Sequence, residues 1–133
     1  MDSVECFAAA RVWLKKAESD LATARLLIEG TERHLDTGSY HCQQCAEKSL
    51  KAWLCAKGIP FPKSHELERL LDLCVPVDPS FETLRQRAEE LTPLATEFRY
   101  PGDQFEPLLE EARPLLQKAQ DIFGFVGSKL DTA

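Results

Sequence analysis

Residues 40–54 read YHCQQCAEKSLKAWL, and the fold turns on whether the two cysteines in that stretch are a chemical site or part of a helix face. Cys42 and Cys45 form a CxxC beside His41. The apolar residues Cys42, Cys45, Ala46, Leu50, Trp53 and Leu54 recur at the spacing of one helical stripe. Gln44, Glu47, Lys48 and Lys51 fall on the opposite side, where a solvated polar face is the common fate, and Glu47 and Lys51 are one turn apart, as an ion pair requires. A structural zinc site needs a full tetrahedral ligand set. Cys42 and Cys45 can be combined with His41 or His65, but no second ligand pair exists in the chain. A redox CxxC follows a strand and sits at a helix N-terminus, which stabilises the thiolate, and no strand-like segment precedes this one. The cysteines are therefore expected in the core, and neither a metal nor a cofactor is expected.

Working outward, helical periodicity holds nearly throughout. A first helix is expected over Val4–Ile28, with Trp13, Ala17, Leu21, Ala24 and Ile28 on its buried face and Gly30 closing it. TERHLDTGS is expected to be a turn, and the second helix to run from Tyr40 to Lys57. The two prolines of IPFPKS make an extended connector. A short third helix follows Ser64 and ends at VPVDP. Asp78 caps a fourth, with Pro79 at its first position, spanning Pro79 to Phe98 and bent near Pro93. After the RYPGD loop a last helix covers Phe105 to Val126, with Pro114 expected to kink it. Short loops between long amphipathic helices imply an all-α, antiparallel up-and-down four-helix bundle with an additional short helix, forming a single domain over residues 1–133.

Composition narrows the function classes. The 133 residues are 44% hydrophobic and 29% charged, with a formal net charge of −6. An acidic chain has no general electrostatic pull on a phosphate backbone, so any nucleic-acid contact needs a local basic cluster. No apolar run reaches membrane-spanning length. The N-terminal stretch lacks a basic start, so no signal peptide is expected. Five cysteines, an odd number, read as reduced thiols of a cytoplasmic protein.

WLKKAESDLATA (Trp13–Ala24), YHCQQCAEKSLKAWLCAKGI (Tyr40–Ile59), SHELERLL (Ser64–Leu71) and FRYPGD (Phe98–Asp103) together resemble the HEPN domain, with QQCAEKSLKAWL the most specific element. The resemblance covers about Val12 to Phe125. It implies an antiparallel helical bundle that acts as a homodimer, and a partner in the form of a minimal nucleotidyltransferase encoded nearby, the pair working as a toxin–antitoxin-like module. It also implies nucleotide or RNA binding. A large subset of the family are metal-independent ribonucleases that use an Arg followed, after about four to six residues, by a His, the pair handling protons and phosphate charge. Here Arg99 matches the Arg, but the partner position falls on Gln104, Phe105 or Glu106, and no Arg stands at that distance before His34, His41 or His65. The expected function is thus nucleotide or partner binding without catalysis. A metal-independent, RNA-cleaving activity centred on Arg99, with His65 brought in through space, is the alternative.

Candidate site residues follow. Arg99 beside Tyr100 suits a nucleotide phosphate and base, or else Arg99 holds its loop through Asp103 or Glu47. Tyr100 offers a stacking face or packs over a helix end. Gln44, Glu47, Lys48 and Lys51 form a binding or dimer face if they are not merely solvated. His65 is either a cap-region residue or a cleft residue facing the second helix. Asp20 borders the buried stripe of the first helix and needs a cationic partner across the bundle, Arg99 among the possibilities.

Overall fold

A computed structural model describes residues 3–96 and 106–131 of the chain. In order come α1 (Ser3–Glu29), α2 (Leu35–Ala56), α3 (Leu67–Cys74), a 3-10 helix (Pro79–Leu84), α4 (Arg85–Leu91), a second 3-10 helix (Thr92–Ala95) and α5 (Leu109–Asp131). The described residues contain no strand. The expected all-α bundle is what forms. None of its helices is long and apolar enough to cross a membrane.

α1 and α2 make an antiparallel hairpin. Asp20 meets Lys48, Trp13 lies by Lys51, and Cys6 Sγ lies near Gly58, so the register runs in opposite directions along the two helices. α2 begins five residues before the expected Tyr40, at Leu35. The residues expected to form a turn are helical there because Gly38 is a packing residue. A Cβ at that position would sit 2.7 Å from Ile28 Cγ1 and 3.2 Å from Leu27 Cβ. Its absence lets the two backbones approach where the hairpin closes. The other end of α2 is set by Gly58, at φ +69°. Ile59 N donates to Leu54 O at 2.9 Å and Gly58 N to Cys55 O at 3.0 Å, the paired bonds of a Schellman stop.

α2 packs against α1, α3 and α5, which puts it at the centre of the bundle. Trp53, Leu50 and Leu54 on α2 share one buried core with Leu70 and Leu71 of α3 and Ile122 of α5. Phe81 fills the space between Trp53, 4.4 Å away between ring centres, and Phe125, at 5.0 Å.

The fourth leg differs from the continuous bent helix expected over Pro79–Phe98. Asp78 does cap it, accepting from Ser80 N at 3.0 Å, but the chain then forms 3-10, α and 3-10 pieces in succession. Pro93 has no N–H to continue the α-ladder and disfavours it for the residue before, so the α-form ends at Leu91. Phe98 lies outside the described residues. α5 starts at Leu109, after an extended 106–108, and not at Phe105, itself outside the described residues. Leu108 N donates to the Glu111 carboxylate at 2.8 Å, a carboxylate reaching back to cap the helix start. α5 runs through to Asp131 with Pro114 inside it, as the sequence placed that proline.

Candidate functional site

The polar side of α2 is not a solvated face. Glu47 is 3%, Lys51 7% and Gln44 8% exposed. α1 and the 57–66 connector pack beside it, and burying charge demands partners. Glu47 has three. It accepts from His65 Nδ1 at 2.7 Å, from Lys51 Nζ at 2.9 Å and from Gln43 Nε2 at 3.1 Å. Burial alone would push the Glu47 carboxyl up, but the hydrogen bonds from His65, Gln43 and Lys51 win and hold it below the usual carboxylate range. Gln43 also donates to the His65 carbonyl at 3.1 Å, locking the connector to α2, and accepts from Gln44 Nε2 at 2.7 Å. Lys51 Nζ lies 5.5 Å from the Trp13 ring centre and 5.8 Å from that of Phe61, aromatic faces that suit a poorly hydrated ammonium. The two rings meet edge to face at 6.2 Å.

Farther round α2 a second carboxylate repeats the theme. Asp20 of α1 accepts from Lys48 Nζ at 2.7 Å and from His41 Nδ1 at 2.8 Å, one on each oxygen. In both clusters a carboxylate oxygen faces Nδ1, a contact that favours the proton on that nitrogen and leaves Nε2 for another task. His65 is 62% exposed and His41 27%. The Tyr40 ring meets the edge of His41 at 5.5 Å.

Of the expected site residues, Glu47 and Lys51 do pair, and Gln44, Glu47, Lys48 and Lys51 share one face. His65 contacts α2 through Glu47 while remaining largely open to solvent. Asp20 finds its partners on α2 in Lys48 and His41. Arg99, Tyr100 and Asp103 lie outside the described residues. Gln43, His41, Trp13 and Phe61 are parts of the arrangement that sequence patterns missed. Gln43 matches no local pairing rule with His65, and the others join through contacts between segments far apart in sequence.

Cys42 and Cys45 are fully buried on the core stripe. Burial, with the two thiols adding a smaller mutual effect at Cys42, pushes each thiol up to about 12, which suits packing and not thiolate chemistry. No three His, Cys, Asp or Glu side chains among the described residues gather as a metal site would need.

A stretch of 52 residues is 42% identical to "Putative toxin MJ1304" of Methanocaldococcus jannaschii, covering 39% of this chain and 33% of that protein. The chain thus spans about a third of that relative's length. The crystal structure of an archaeal HEPN homologue, ST0689, superposes with a TM-score of 0.70 at 28% identity, covering 90% of this chain and 96% of that one. The crystal structure of TT1696 from Thermus thermophilus superposes with a TM-score of 0.73 at 27% identity, over 90% of this chain and 97% of its own. The model of the HEPN domain matches residues 10–129, and the chain belongs to the HEPN family.

Proposed function

We propose that this chain is the toxin-like member of a two-component module, acting as a homodimer with a minimal nucleotidyltransferase and engaging a nucleotide or RNA at the polar face of α2. The observation that supports it most is the pair of buried carboxylates, Asp20 and Glu47, each holding a lysine and a histidine. Packing does not call for them. Buried ion pairs are commonly replaced by apolar residues with little loss or even a gain in stability. Charges kept under such conditions on a central helix, with two imidazoles and Lys48 reaching solvent, fit a surface that handles phosphate. The "toxin" in the name of the Methanocaldococcus relative points the same way. Tagged protein recovered from its own host, analysed by mass spectrometry and light scattering, is expected as a dimer accompanied by a nucleotidyltransferase in near-equal amount. Recovery without that partner would overturn the module.

A second activity is favoured by a separate observation. Each imidazole is held at Nδ1 by a buried carboxylate, the arrangement by which a histidine is oriented to take a proton at Nε2. Metal-independent RNA cleavage would use it. Incubation of purified protein with RNA in excess EDTA is expected to release shortened products, and intact RNA at high protein concentration would end that reading.

A further inference from the structure

We infer that Asp20, His41 and Lys48 form the general-base centre for cleavage of an RNA phosphodiester, in place of the Arg-and-His motif that the chain lacks. The inference rests on the ribonuclease activity just proposed and assigns its machinery. The two carboxylate–histidine pairs are not equivalent. At Glu47 the associated cation is Lys51, whose side chain is only 9% exposed and enclosed by Trp13 and Phe61, so it cannot reach a phosphate. His65 stands on the connector before α3 and is 62% exposed, with little to fix a substrate against it. At Asp20 all three groups are carried by α1 and α2. His41 is part of regular α2, its ring is fixed by Asp20 at 2.8 Å and edged by Tyr40, and Lys48, farther along the same helix, lies on the same carboxylate. Lys48 is 23% exposed. Only one of its three N–H groups is taken by Asp20, which leaves donors for a phosphoryl oxygen.

The chemistry balances without a co-reactant. His41 Nε2 takes the proton of the ribose 2′-OH as the 2′-oxygen bonds to phosphorus. The ammonium of Lys48 offsets the charge that grows on the phosphoryl oxygens. The bond from phosphorus to the 5′-oxygen breaks, and that oxygen takes a proton from water. The imidazolium returns its proton to the hydroxide so formed. The products are a 2′,3′-cyclic phosphate and a 5′-hydroxyl, and no redox change occurs. Asp20 acts through His41 and is a positioning residue.

The test uses the full chain, a mixed-sequence RNA oligonucleotide and EDTA, with product termini read by mass spectrometry. Wild type is expected to yield 2′,3′-cyclic phosphate ends. His41→Ala is expected to lower the rate by about 100-fold or more and to regain part of it with added imidazole. His41→Asn keeps a donor at the Nδ1 position for Asp20, so it should fold as wild type and still be inactive. His34→Ala is expected to cleave normally. Cleavage that survives in both His41 variants, or that is lost in His65→Ala while His41→Ala stays active, overturns this assignment but leaves ribonuclease activity standing. No cleavage by wild type removes both.

Discussion

Replacing Glu47 by Gln keeps the shape of the side chain and deletes one charge. The Lys51 ammonium, with a side chain 9% exposed, is then left buried without a counter-ion. Removing one partner of a buried ion pair costs about 3–5 kcal/mol. Two features hold the cost to the lower end. The Gln amide oxygen still accepts one hydrogen bond, and the Trp13 and Phe61 faces, at 5.5 and 5.8 Å, contribute up to about 1 kcal/mol. The expected loss is about 3 kcal/mol, which at this chain length lowers the thermal midpoint by roughly 10 °C. Urea unfolding followed by far-ultraviolet circular dichroism measures it, with the slope unchanged. The double variant Glu47→Gln/Lys51→Met should recover most of the loss, because no charge remains to be compensated. The pH dependence has a defined sign. Glu47 is held below its ordinary value of 4.5 in the folded chain, so its contribution is complete above that value and fades as the pH falls through the folded value. Glu47→Gln should lack this part of the acid limb. A loss under about 1 kcal/mol, or a double variant no better than the single, would refute the claim that this charge pair is cut off from water.

Other outcomes follow from single contacts. Gly38→Ala should destabilise by about 1–3 kcal/mol, since its methyl would enter the space of Ile28 and Leu27, whereas Gly124→Ala, with nothing within 4 Å, should gain about 0.5–1 kcal/mol; thermal melts of the two variants moving the same way would contradict this. Asp78→Ala should cost about 1 kcal/mol by removing the acceptor of Ser80 N and one partner of Lys129. Hydrogen bonds from Ser80 and Lys129 hold the Asp78 carboxyl at about 2, so in wild type the cap is complete above its ordinary value of 3.8 and lost only as the pH falls through about 2; urea titrations of both proteins across that range check it. Thiol reagents should label half-buried Cys55 in the folded protein and reach Cys42, Cys45 and Cys74, each pushed up to about 12 mainly by burial, only on unfolding. Native labelling of Cys42 at the rate of Cys55, read by peptide mass spectrometry, would be inconsistent with the core.

Periodicity made the bundle legible because a stripe such as Trp13, Ala17, Leu21, Ala24 and Ile28 has one physical use. It failed where one residue type serves two purposes. Gly38 has the composition of a turn, and only its distance to Ile28 reveals a helix–helix contact. The Pro79–Ala95 segment carries helical spacing, yet the choice between 3-10 and α hydrogen bonds rests on local capping and on where Phe81 must reach. Glu47 and Lys51 were visible as a pair, but their burial was not, since it depends on Trp13 and Phe61 arriving from other segments. His41 was read as a neighbour of two cysteines. Its carboxylate lies 21 residues earlier in the chain, and no local spacing rule connects the two.

The two tryptophans occupy opposite kinds of place. Trp53 is pinned against Phe81 in the interior, 2% exposed, with Lys57 Nζ 5.6 Å from its ring, and Trp13 is half-buried with Lys51 Nζ 5.5 Å from its ring. Their fluorescence should therefore separate into two signals. Emission from Trp53 changes when the bundle opens, and emission from Trp13 when the charge arrangement around Lys51 is disturbed. Selective excitation of variants carrying Phe at one position would let an occupied α2 face be told from a loosened fold in the same cuvette, without any added label.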